Sequence, residues 1–106
     1  MARQTKKLGK SMLELYDSLG DLIQKAKTAA QRKKLQAKQD DLWDRIAALV
    51  EETLDADDQK YIAAVAGMND AIAKVKDAIK GLETVTKVVR AAARAVDLAA
   101  KLIPAG

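Results

Sequence analysis

From residue 1 to residue 103 the chain contains no proline; its single one is Pro104. A run of that length without the residue that interrupts helices, and with only five glycines, leaves helix as the main option for the backbone. Strands would need aromatic and β-branched residues bounded by Gly and Pro turns. Here there is no Phe, one Trp and two Tyr, while long stretches of Ala, Leu, Lys, Gln and Glu favour helix. The expectation is an all-α fold.

The apolar spacing resolves this into segments. Met12, Leu15, Leu19, Leu22, Ala26 and Ala29 alternate steps of three and four and form one helical stripe. Leu35, Gln39, Leu42, Ile46, Leu49 and Thr53 form a second. The step from Ala29 to Leu35 is six residues rather than seven, so the two are out of phase. Val65, Met68, Ile72, Val75, Ile79, Leu82, Thr86, Val89, Ala93, Val96, Ala100 and Ile103 keep one phase throughout, which favours a single helix or collinear pieces.

Capping signals place the ends. S-M-L-E at residues 11–14 and T-A-A-Q at 28–31 have the form of capping boxes. The polar run 54–59, with Asp55, Asp57 and Asp58, suits a turn in which Asp55 or Asp57 caps the following helix. Gly81 after Lys80 is of the type that closes a helix. Helices are therefore expected near 11–27, 29–54, 57–80 and 82–103, as an antiparallel helical bundle or a long helical hairpin of three to four segments. If the chain folds back at 28 and 81, it is a monomeric four-helix bundle; if at neither, the hairpin pairs with a second copy into a larger bundle. A chain of 106 residues is one small domain with little core to spare, so self-association fits. The expected organisation is a mobile basic tail at 1–10 (Arg3, Lys6, Lys7, Lys10, Gly9), one bundle domain at 11–103, and an end at 104–106.

The last segment constrains function most. Val85, Val89, Ala92, Val96, Ala99 and Ile103 are flanked by Val88, Ala91, Ala95, Leu98 and Leu102, an apolar face wider than the roughly 100° that one neighbour covers. Alanines there allow a backbone to approach near the lower limit of helix spacing, about 8 Å. Residues 82–103 should therefore touch at least two other helices, from this chain, a second copy, or another protein. The residues expected to carry partner contact are Val85, Val88, Val89, Ala92, Val96, Ala99 and Leu102, with Trp43, Lys33 and Lys34 beside them. Trp43 reads as either a core plug or an interface anchor, and Tyr16 and Tyr61, one step off their stripes, as flanks of a groove.

Charge is arranged in blocks. Residues 25–38 hold Lys25, Lys27, Arg32, Lys33, Lys34 and Lys38 without an acid, and residues 39–58 hold eight acids against Arg45. In a hairpin turning near 56, the basic block would face Lys76, Lys80 and Lys87 and form a positive belt around the middle of the rod, suited to an acidic partner.

Several chemistries lack their residues. There is no His and no Cys, which removes the commonest general base, the activated thiol, and imidazole and thiolate metal ligands. The run from Asp55 fails as a calcium loop, with Lys60 in place of the required glycine and Ala66 in place of the glutamate. No glycine loop for phosphates occurs. No enzyme activity, cofactor or metal is expected. The N-terminus has no secretory leader pattern, and no stretch approaches the ~20 apolar residues of a membrane span, so the expected location is cytoplasmic. Three functions follow in order. The first is protein binding, as a homo-oligomer or as an accessory, adaptor or inhibitor subunit. The second is electrostatic nucleic-acid binding through the tail and the 25–38 block. The third is membrane-surface binding by 82–103, which its lack of Trp and Phe anchors weakens.

Overall fold

The first helix starts before the serine that its sequence suggests. In the computed structural model, which describes residues 7–50, 53–55 and 57–102, α1 runs from Lys7 to Lys25. Ser11 lies inside it and is buried rather than capping. Leu8 explains the difference: it sits one turn ahead of Met12 and extends the same stripe, and both are fully buried. Lys7, Gly9 and Lys10 thus belong to α1 and not to a mobile tail, and residues 1–6 lie outside the described residues.

The chain folds back at both uncertain joints. Thr28 caps α2 (Ala29–Ala48) by accepting from the Gln31 amide at 3.1 Å. The Gln31 side chain reaches back to the Lys27 amide at 3.3 Å, one residue earlier than a capping box requires. α2 then stops at Ala48, where Leu49 turns extended, rather than near 54. Asp58, not Asp55 or Asp57, caps α3 (Gln59–Ile79), its carboxylate accepting from the Lys60 amide at 2.7 Å.

The unbroken phase from Val65 to Ile103 does not correspond to a continuous helix. Gly81 takes φ +80°, its amide donates to Ala78 O at 3.0 Å, and the Leu82 amide donates to Asp77 O at 2.8 Å. This doubly bonded Schellman closure turns the backbone through a conformation that glycine adopts without strain. Thr84 then caps α4 (Val85–Ala100), accepting from the Lys87 amide at 3.3 Å. Beyond the turn the buried set becomes Val88, Ala91, Ala92, Ala95, Val96 and Ala99, while Leu82 is 74% exposed. Ile103 and Pro104 lie outside the described residues.

Four helices and no strand are found among the described residues. They form two hairpins, α1–α2 and α3–α4, laid together so that α1 packs on α3 and α2 on α4. The order around the bundle is α1, α2, α4, α3, so that α2 and α3, consecutive in the chain, stand on a diagonal. The Leu8 amide donates to the buried Tyr61 hydroxyl at 3.0 Å, which joins the starts of α1 and α3 at one end. Leu15, Leu19, Leu35, Leu42, Met68, Val75 and Val88 fill the interior. Among the described residues no helix is long and apolar enough to cross a membrane.

Candidate functional site

The broad face of α4 is used inside the chain. Val88, Ala92 and Ala99 are fully buried and Val96 nearly so, while Val85, Val89 and Leu102 are partly buried against the same core. Its neighbours are α3 on one side and α2 on the other. The two-helix contact inferred from its width is therefore met intramolecularly. In this fold the four buried residues are closed to any partner or membrane; only the margins of the face reach the surface.

One such margin forms a groove between α3 and α4. Its floor is small and apolar: Ala63, Ala66 and Gly67 from α3, Ala91 and Leu98 from α4. Close approach produces it, because a methyl group built on Gly67 would lie 2.8 Å from Leu98 Cδ1 and 3.6 Å from Ala95 Cα. The groove continues past Lys60 and Lys101 at one end and past Lys74, Lys87, Arg90 and Arg94 towards the other. Asp70 is the single acid lining it. Lys74 is paired with Asp70 at 3.5 Å, and Lys87 with Glu83 at 3.7 Å. Lys60, Arg90, Arg94 and Lys101 make no ion pair with a described residue.

The opposite side of the bundle is of another character. Trp43 is 50% exposed and tilts against Tyr16 of α1, ring centres 5.4 Å apart. Of the two roles read for Trp43, core plug or interface anchor, the first does not hold: the ring rests against Tyr16 on one side and is half exposed to water. Leu13 (46% exposed) lies one turn before Tyr16, and Val50 (47% exposed) lies seven residues after Trp43. Tyr61, by contrast, is 2% exposed and serves the core, flanking no groove. Gln39 is buried where α2 meets α1, donating to Tyr16 O at 3.0 Å and accepting from Gln36 at 3.0 Å. Gly20 makes room for it, with the position of a Cβ 3.2 Å from Gln39 Nε2.

Lys33 and Lys34 are exposed near the start of α2, far along the chain from the groove on α3 and α4. Because α2 packs on α4 and both hairpins turn at the same end, Lys25, Lys27, Lys33, Lys34, Lys80 and Lys87 gather towards one end of the bundle. The fold-back at 28 and 81 converts the expected mid-rod belt into a basic end. Asp40, Asp41 and Asp44 lie further along α2, exposed. Among the described residues no cluster of three or more carboxylates is arranged to hold a metal ion.

The groove could not be found from periodicity because it is made by margins, residues outside every apolar stripe. Ala63, Ala66 and Gly67 stand out in the sequence only by their small size. The chain matches no family model, no curated protein and no solved structure.

Proposed function

We propose that the chain is a non-catalytic protein-binding module that receives a helix of another polypeptide in the groove between α3 and α4. The observation that supports this is the combination of an apolar floor with cations that have no ion-pair partner among the described residues. A helix laid in a groove anchors by residues three and four apart, and the alanines and glycine of the floor, beside the Leu98 side chain, admit it at short axial distance. Rim charges then select a helix with acidic flanks and speed its arrival. Nucleic acid would also be drawn to these cations, but the apolar floor gives a phosphate backbone nothing to bond, and no aromatic side chain lines it for base stacking.

A direct test is fluorescence anisotropy with a labelled synthetic helix carrying an Ala/Leu ridge flanked by Glu, run beside a labelled DNA duplex. Saturable peptide binding is expected, lost in Arg90→Glu/Arg94→Glu and only moderately weakened by salt. Steeply salt-dependent binding of the duplex with none of the peptide would replace this function with the electrostatic one.

A further inference from the structure

We propose, resting on the groove function above, that the groove's occupant is a second copy of this chain, presenting the outer face of α2. Ala37, Asp40, Asp44 and Ala47 recur at steps of three, four and three and so form one exposed stripe pointing away from the core. Between residues 37 and 47 small residues lie at the ends and two carboxylates at the centre; Lys33, one turn before Ala37, continues the exposed row beyond the matched stretch. The groove is its complement: a small apolar floor with Arg90 and Arg94 on the rim. Asp44 makes no ion pair with a described residue, and Asp40 accepts only from Gln36 at 3.1 Å. Anions on one face thus answer cations on another, none of the four in an ion pair with a described residue.

α2 is also the helix with the least inside-to-outside contrast. It buries only Leu35, Gln39 and Leu42, one of them polar, while Trp43, Ala29, Ala30, Ala37 and Ala47 face out. A helix packed on one side alone sorts its residues more sharply; one packed on both sides need not. The contact joins two different surfaces, so it is head-to-tail and extends into open chains of copies unless its rotation closes a ring. The stripe from Ala37 to Ala47 covers about 15 Å of helix axis. That places the contact below about 1,200 Å², in the class of weak, concentration-dependent association.

Sedimentation velocity and light scattering over a range from about 10 µM to about 1 mM, the span appropriate to weak contacts, test it. The wild-type chain should rise in weight-average mass with concentration, with a blue shift of Trp43 fluorescence, which has no other tryptophan to obscure it. Asp40→Arg/Asp44→Arg and Arg90→Glu/Arg94→Glu should each stay at the mass of one chain with an unchanged helical circular dichroism spectrum. The variant carrying all four changes should associate again, because the two reversed faces match. A wild-type chain of single-chain mass throughout, association indifferent to either pair, or no rescue in the fourfold variant would each overturn the proposal. If the wild-type chain stays single while the acidic synthetic helix still binds through Arg90 and Arg94, only the occupant is wrong and the groove's function stands. If neither associates, both fall.

Discussion

Replacing Tyr61 by Phe removes one oxygen from the join between the two hairpins. α1 begins at Lys7, so the Leu8 amide belongs to the first turn, whose N–H groups have no acceptor within the helix. Its acceptor is the Tyr61 hydroxyl at 3.0 Å, between residues that are 0% and 2% exposed. Without that oxygen the amide is stranded away from water, which costs about 1–3 kcal/mol. The chain has an escape: residues 7–10 can peel away and hydrate the amide, at the loss of Leu8 burial, about 2 kcal/mol. The cheaper route sets the cost, so Tyr61→Phe should destabilise by about 1–2 kcal/mol. For a domain of about 100 residues this lowers the melting midpoint by roughly 5–15 °C. Thermal and urea melts followed by circular dichroism measure the loss, and hydrogen exchange at the Leu8 amide locates it, a tenfold loss of protection for each ~1.4 kcal/mol. An unchanged midpoint with Leu8 still protected would show that the hydroxyl does not hold the two starts together.

Three further substitutions probe other joints. Gly81→Ala meets no atom within 4 Å but must hold φ near +80°, so about 1 kcal/mol of stability should be lost from strain alone in urea titrations. Thr28→Ala removes the cap on Gln31 and should cost about 1 kcal/mol, with Thr28→Ser recovering most of it. Gly67→Ala should leave the melting midpoint nearly unchanged: the new methyl presses only on the end of the Leu98 side chain, which borders the groove and can rotate, while the helix gains about 1 kcal/mol of propensity.

The helical nature of the chain and most of its core were legible because 3,4 spacing reports the buried face of a helix whatever it packs against. Leu15, Leu19, Leu35, Leu42, Met68 and Val75 all stand where the stripes place them. Spacing carries no information about direction, however. The 3,4 spacing runs on in sequence from Ile79 to Leu82, yet Leu82 is exposed and the buried set beyond the turn shifts to Val88, Ala91, Ala92 and Ala95; the local bonding of Gly81, not the heptad pattern, decides that the chain folds back. The breadth of the α4 face was equally legible as a demand for two neighbours, but the identity of the neighbours was not. Once α2 and α3 supply them, the partner contact expected at Val88, Ala92, Val96 and Ala99 has no surface left to use. The groove depends on which margins the hairpin brings together, and Gly67 against Ala95 is a pairing that only the antiparallel register of α3 and α4 creates.

The diagonal placement of α2 and α3 bears on how quickly the chain finds its native state. Each hairpin closes through a short turn, at residues 26–28 and 80–84, so its contacts are local in sequence and cheap in loop entropy. Neither hairpin can hide its inner face alone, and the span at 49–58 is the link that lets one settle on the other. Search is thereby divided into two fast local closures and one docking event, the pattern of low contact order that gives helical domains folding times of microseconds to milliseconds.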